Sequence, residues 1–376
     1  MIVRKLENII KEKLNKNKVI TLLGARQTGK TSLLKKMFSN EDETLWLNGD
    51  ESDVQDRFKN PTSTNLKALI GNKKLVIIDE AQRIHDIGLA LKLLIDNYPT
   101  IQIIATGSSS FELLNKMNEP LTGRKYEFEL FPISLEELKG HHSEFIEKRL
   151  LSTRLVFGSY PEIINKQGEE IEVLKLLSDS YLYRDLLMLE NIKKPEKLIK
   201  LLQALAYQIG NEVSYNEIGN LIGLDSKTVE SYIHLLEKSF VVFRLNSFSR
   251  NQRNELKASK KIYFYDNGIR NALISNFKLL EGRQDIGALW ENYLVSERRK
   301  YNSYSNNYAA CYFWRTTDGQ EIDYIEDKDG EITGYEFKWN STKKHKITKT
   351  FLNAYPNSSV KIITPENYFE FLTKID

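Results

Sequence analysis

The stretch "VITLLGARQTGKTSLLKKM" limits what this chain can become more than any other. Val19 to Leu23 is short and apolar, which predicts a buried strand. Beyond it, Leu33, Leu34 and Met37 recur at helical spacing among lysines, which predicts an amphipathic helix. Between the two, Gly24, Gly29, Lys30 and Thr31 fall in the order G-x-x-x-x-G-K-T. A strand–loop–helix corner of this kind suits phosphate. Glycines let backbone N–H groups close around phosphate oxygens, and the helix start adds unpaired N–H groups and the positive end of its dipole. Gly24, Ala25, Arg26, Gln27, Thr28, Gly29, Lys30, Thr31 and Ser32 therefore form the expected binding segment for a nucleoside triphosphate. Lys30 is placed to reach the β- and γ-phosphates, and the Thr31 hydroxyl to ligate Mg²⁺.

Two further strand signals belong with this corner. "KKLVIIDEAQ" predicts a buried strand from Leu75 to Ile78 that ends in Asp79 and Glu80. An acid at that position holds magnesium in P-loop enzymes, so Asp79 is the candidate metal partner and Glu80 the candidate base for an attacking water. "IQIIATGSSS", Ile101 to Ser110, ends in small hydroxyl residues where ligands of doubly wound sheets lie. Either Ser108 or Thr106 could sense the γ-phosphate, and Ser109 or Ser110 would cap a following helix. In "LTGRKYEFELFPISLEEL", Arg124 leads into a strand. It is either an arginine finger presented to a neighbouring subunit's γ-phosphate or a surface arginine in a loop.

The ordered set GARQTGKT, VIIDEAQ, IIATGSSS and LTGRKYEFELFPIS resembles the AAA-type ATPases found widely in bacteria and archaea. Proteins of that group commonly carry a C-terminal domain of unknown function with a restriction-endonuclease-like core. "FGSYPEII" (Phe157 to Ile164) and "YLYRDLL" (Tyr181 to Leu187) fit the same group. The resemblance implies ATP as the nucleotide, a helical lid, and a homo-oligomer, possible as a ring, in which Arg124 acts in trans.

The middle of the chain has a different texture. "SYNEIGNLIGL" predicts a short helix, Gly223 a turn, and Ser226 the cap of "KTVESYIHLLEKS", with strand-like "FVVFRL" following. This order predicts a winged-helix segment whose second helix would expose Lys227, Thr228, Ser231 and Tyr232. Lys227, Lys238, Arg244 and Arg250 face Glu212, Glu217, Asp225, Glu230 and Glu237 in this stretch, so it is slightly acidic. Arg250, Arg253, Lys257, Lys260 and Lys261 then form a basic run, better suited to phosphate contact than to base reading. Packing against protein is the competing use of this segment.

The last third carries a second constellation. "GALWENYLVSERRK" predicts an amphipathic helix bearing Glu291, and "CYFWRTTDGQEIDYIED" a hairpin with Asp323 on its outgoing strand. In "EITGYEFKW", alternation puts Glu336 and Lys338 on one face. A helix acid, a strand Asp and a downstream E-x-K resemble the PD-(D/E)xK nucleases. On that reading Asp323 and Glu336 hold Mg²⁺ with Glu291 supporting, and Lys338 positions water or stabilises phosphate charge. Lys343, Lys344, Lys346 and Lys349 would draw in a phosphate backbone. The competing reading is a nuclease fold whose acids form ordinary salt bridges.

Composition narrows the classes. With 376 residues, 41% hydrophobic and 28% charged, the chain has room for two or three globular domains. A net charge of +3 permits a polyanionic partner such as DNA without requiring one. Cys311 is the sole cysteine, which excludes an intramolecular disulfide and a cysteine zinc cluster and predicts a buried free thiol. The five histidines lack metal-ligand spacing. No apolar run reaches transmembrane length, and "MIVRKLENIIKEKLNKNK" reads as an amphipathic first helix rather than a signal peptide, so a cytoplasmic location is expected, with no membrane partner.

The expected fold is α/β. It comprises a P-loop parallel-sheet ATPase domain at 1–140, a helical lid or linker at 141–197, a winged helix at 198–255 and an α/β restriction-endonuclease-like domain at 256–376, with linkers near Lys139–Ser143 and Asn246–Ser259. Two functions fit: ATP turnover coupled to DNA engagement or metal-dependent cleavage, or a regulatory ATPase switch acting on a protein partner with a non-catalytic nuclease-like domain.

Overall fold

The computed structural model describes residues 2–39, 42–108, 117, 120–182, 194–249, 259–340 and 349–374. The chain divides into two compact units, Met1–Pro132 with Lys238–Phe240, and Ile133–Glu237 with Val241–Asp376.

The first unit is built on a five-stranded sheet in the order β2-β3-β4-β1-β5. Its strands are β1 (Val19–Leu23), β2 (Thr44–Asn48), β3 (Leu75–Asp79), β4 (Gln102–Gly107) and β5 (Lys125–Glu129). Every pairing is parallel. Parallel strands are covered on both faces, which is why β1, β3 and β4 are nearly unbroken apolar runs. All of β1 and β4 is buried. Leu6 and Ile10 of the helix Lys5–Lys13, Leu33 and Leu34 of Lys30–Met37, and Leu91 and Leu94 of Ile87–Asn97 are buried with them. Each such side chain contributes roughly 1.5–3 kcal/mol on burial. The chain leaves β1, forms β2 and β3, and returns to place β4 against β1, so the carboxyl ends of β1, β3 and β4 lie in a row.

The second unit holds a six-stranded mixed sheet in the order β11-β10-β9-β8-β6-β7. Its members are β6 (Val242–Ser247), β7 (Lys260–Phe264), β8 (Ala310–Arg315), β9 (Glu321–Lys328), β10 (Glu331–Phe337) and β11 (Ser358–Ile363). Trp290 of the helix Ile286–Tyr304 meets the rings of Tyr293, Trp339 and Tyr368. Phe351 packs with Trp314, Ile322, Ile325 and Ile332. Buried polar groups tie distant segments into this unit. Asp266 accepts the Ser159 N–H at 2.7 Å, Asn271 donates to the Val156 carbonyl at 2.8 Å, and Glu297 accepts the Leu135 N–H at 2.7 Å.

Several local expectations change. Lys139–Ser143 is not a linker. Ser134 and Glu137 form a reciprocal capping box that starts the helix Leu135–His141, and Ser143 caps Glu144–Arg149. The helix Ser226–Lys238 already includes Ser226, and Asp225 supplies the cap by accepting the Thr228 N–H at 3.0 Å. Tyr232 is buried rather than exposed. The strand after this helix pairs antiparallel with β7 and also parallel with β8, because Val242, Phe243 and Leu245 are all buried and need cover on both sides. Cys311 is half-buried and accepts the Tyr324 hydroxyl at 3.0 Å; burial pushes its thiol up. Ser109, Ser110, Arg250, Arg253, Lys257, Lys343, Lys344, Lys346 and most of the Tyr181–Leu187 phrase lie outside the described residues. Among the described residues no helix is long and apolar enough to cross a membrane.

Candidate nucleotide and carboxylate sites

The nucleotide corner forms where β1 ends. Gly24 has φ +154°, and a Cβ there would lie 2.2 Å from the Leu130 carbonyl oxygen, so only glycine lets the loop leave the strand so close to the segment after β5. The loop then enters the helix Lys30–Met37. Lys30 is buried, and its ammonium donates to the carbonyls of Gly24 at 2.7 Å and Ala25 at 3.0 Å. Those bonds hold the amine over the loop whose N–H groups would surround phosphate. Arg26 and Gln27 are half-buried in the loop, Thr28 is buried, and Ser32 is exposed on the helix.

Three strand ends converge on one carboxylate. Asp79 Oδ2 accepts the Thr31 hydroxyl at 2.7 Å, and its Oδ1 accepts the Thr106 hydroxyl. Thr106 in turn accepts the Glu80 N–H at 3.1 Å. A hard divalent ion takes oxygen ligands from one or two protein groups and from phosphate, which Thr31 and Asp79 fit. Glu80 stands in left-handed backbone at φ +48°. Such a conformation costs on the order of 1–3 kcal/mol and persists only where the surroundings fix it. Here Gly49 supports it: the Gly49 N–H donates to the Asp79 carbonyl at 2.8 Å, and a Cβ on Gly49 would fall 2.4 Å from the Glu80 carbonyl oxygen. The Glu80 carboxylate is held at its tip by Gln82 Nε2 at 2.5 Å and by the Ser108 hydroxyl at 3.1 Å, and Gln82 also donates to Ser108 at 3.1 Å.

Two residues of this site escape a reading of local pattern. Gln82 stands two positions after Glu80 in the same phrase, yet its role depends on β4 lying alongside. Arg4 precedes the first helix and is buried. Its guanidinium donates to the Thr28 carbonyl at 2.8 Å and to the Phe131 carbonyl at 2.6 Å, clamping the phosphate loop to the end of the β5 segment. Arg124 lies elsewhere. It precedes β5, beside the start of β1, and pairs with Asp96 at 2.8 Å. The five residues of β5 span about 16 Å at the rise of a strand, so Arg124 is a full strand length from its own phosphate loop.

In the second unit, Asp323 on β9 and Glu336 on β10 are neighbours across the antiparallel pair, and Asp323 accepts the Phe337 N–H at 2.7 Å. Lys338 bridges them, 3.3 Å from Glu336 and 3.9 Å from Asp323. Burial, followed by the charge of Glu291, pushes the Asp323 carboxyl up to about 7. Glu291 accepts the Lys261 ammonium at 2.9 Å and the Tyr263 hydroxyl at 2.7 Å. Lys261 also pairs with Glu321. Burial alone would push the Lys261 ammonium down, but Glu291, Glu321 and Asp323 outweigh it and hold it above its usual range. Lys261 was expected in an open basic run; it is 1% exposed and cannot contact a phosphate backbone. Lys260 pairs with Glu230 at 3.5 Å.

Arg4→Ala should loosen the phosphate loop, because two buried carbonyls lose a charged donor. The expected loss is on the order of 2–3 kcal/mol of stability together with weaker ATP binding. Arg4→Lys should recover only part of it, since one ammonium cannot reproduce a forked donor. Denaturant titration and ATP binding measured on both variants check this; wild-type values for Arg4→Ala would refute the clamp.

Comparisons with known proteins agree with the first unit's geometry. Residues 16–139 match the model of an AAA domain. Residues 148–280 and 286–372 match two domains of unknown function, DUF8612 and DUF4143. An uncharacterized protein of Methanocaldococcus jannaschii is 25% identical over 98% of this chain and 87% of its own length. One of Mycobacterium tuberculosis is 26% identical over 89% of this chain and 73% of its own. The fold is similar to that of a Walker-type ATPase of Pyrococcus abyssi, with a TM-score of 0.52, 18% identity and coverage of 73% of this chain and 96% of that one. Family match, fold likeness and the bonded Thr31–Asp79 pair together support an AAA-type P-loop ATPase domain in the first unit.

Proposed function

We propose that this protein hydrolyses ATP and couples turnover to engagement of nucleic acid by its second unit. The observation that carries the ATPase half is the carboxyl-end cluster in which Thr31 and Thr106 bond to Asp79 while Glu80 stands beside it under Gln82 and Ser108. Lys30 exchanges its Gly24 and Ala25 carbonyls for the β- and γ-phosphate oxygens. Thr31 and Asp79 would hold Mg²⁺, which would supply positive charge to offset that of the phosphates. Glu80 orients the attacking water and accepts its proton, and Ser108, bonded to that carboxylate, links its position to the γ-phosphate. Arg124, too far from its own loop, serves a neighbouring copy.

Support for nucleic acid is the helix–turn–helix order of Tyr215–Ile222 and Ser226–Lys238, although the β6–β7 pair that follows belongs to the six-stranded sheet rather than to a separate wing. Glu230 on the exposed side of the second helix disfavours base reading by that helix. The cleavage expected of Asp323, Glu336 and Lys338 requires a divalent ion, whose place on both carboxylates Lys338 contests.

Glu80→Gln should keep ATP affinity and lose roughly 100-fold or more in kcat, the usual worth of a positioned base. Arg124→Ala should also be inactive alone, and mixing it with Glu80→Gln should restore activity at interfaces that combine both intact residues. Wild-type turnover by Glu80→Gln would refute the base; a silent mixture with mixed oligomers present would refute the shared site. Single- or double-stranded DNA should raise the ATPase rate, with a stimulation that falls steeply as salt rises. A rate indifferent to every nucleic acid offered would favour a switch acting on a protein partner.

A further inference from the structure

The carboxylates of the second unit can be asked directly what cation they are built to face. Lys261 projects from β7 with 1% of its surface exposed. Its ammonium pairs with Glu291 from the helix Ile286–Tyr304 and with Glu321 at the first position of β9. The Phe313 ring lies 5.4 Å from the same ammonium, and the Tyr263 hydroxyl donates to the same Glu291 oxygen from β7. Lys338 serves Asp323 and Glu336 in the same way. Glu291, Glu321, Asp323 and Glu336 thus each face a lysine.

A hard divalent ion completes a shell of oxygens from one or more carboxylates together with water or phosphate, and those carboxylates must be free to turn to it. Among the described residues no group of three or more His, Cys, Asp or Glu side chains comes together in a way that could hold one. Glu336 Oε1 is buried without a hydrogen-bond partner, but it is a single acceptor beside an ammonium already bound to the other oxygen. Bringing a second cation to Glu291 would set it against the buried Lys261 charge.

We infer that Lys261 is the resident cation on the Glu291 and Glu321 side of this cluster and that, with Lys338 on Asp323 and Glu336, the second unit holds its carboxylates with lysines in place of a divalent metal. The lysine is part of the fold: it joins β7 to the helix and to β9 and offsets part of the charge of their acids. Removing the ammonium should leave Glu291 and Glu321 facing each other around a vacated position and so create a divalent site that the native chain lacks.

The test uses the full chain without nucleotide, in a Thr31→Ala background that removes the phosphate-loop hydroxyl. Mn²⁺ binding is followed by paramagnetic resonance and thermal unfolding with and without Mn²⁺. The parent should bind no stoichiometric Mn²⁺ and show no shift in Tm. Lys261→Ala should unfold at lower temperature and regain several degrees when Mn²⁺ is added. Lys261→Arg, which keeps the cation, should respond as the parent does. Stoichiometric Mn²⁺ on the parent, lost in Asp323→Asn, would overturn the inference, and so would a Lys261→Ala protein indifferent to Mn²⁺. If Lys261→Ala does not fold, the parent and Lys261→Arg still decide it. Neither ATP nor DNA enters this readout, so its failure leaves the ATPase reading standing.

Discussion

The Asp79 carboxylate joins the groups on which the first unit depends. Through Thr31 it holds the start of the phosphate-loop helix, and through Thr106 it holds the end of β4. Both bonds exist only because the sheet order β2-β3-β4-β1-β5 sets β3 beside β4 and β4 beside β1. Parallel strands point their carboxyl ends one way, so short apolar runs far apart in sequence deliver their terminal polar residues to a single edge. The strained backbone of Glu80 and the tight approach of Gly49 follow from the same convergence. Lys30 and Thr31 bond to protein oxygens, so the corner is held in place by its own groups.

The second unit solves a different electrostatic problem. Four carboxylates project near one another from β9, β10 and the helix Ile286–Tyr304, a costly arrangement in a buried setting unless cations accompany them. Lys261 and Lys338 supply that charge from within the chain. Elsewhere in this unit the same device recurs, with Arg298 on Glu326 at 2.7 Å and Lys300 on Glu297 at 2.6 Å. Breaking one of these buried pairs by removing one partner would leave a lone charge behind.

What was legible in the sequence was what local pattern encodes. The runs at Val19–Leu23, Leu75–Ile78 and Ile101–Gly107 were readable because parallel strands need apolar residues on both faces. Asp79 and Glu80 stood out because they end such a run, and Lys30 because it follows the glycines of the loop. Glu336 and Lys338 were placed on one face by strand alternation alone. Ser134-x-x-Glu137 was equally readable as a helix start, but the polar residues after it suggested a linker. Arg4 and Lys261 were not legible, for a physical reason. Arg4 finds its acceptors 24 and 127 residues away. Lys261 sits in a run of basic residues that looks solvated until β6 and β7 join the sheet and turn it inward.

The account rests on the phosphate loop being a working nucleotide site whose lysine and threonine change partners on binding. Equilibrium titration of ATP into nucleotide-free protein, with and without Mg²⁺, tests it most directly when wild type is compared with Lys30→Ala and Thr31→Ala. Wild type should bind at one saturable site per chain. Lys30→Ala should lose about tenfold or more in affinity, the worth of a charge-assisted hydrogen bond, and Thr31→Ala should lose the gain that Mg²⁺ provides. Absence of saturable binding by wild type, or unchanged affinity in Lys30→Ala, would contradict it.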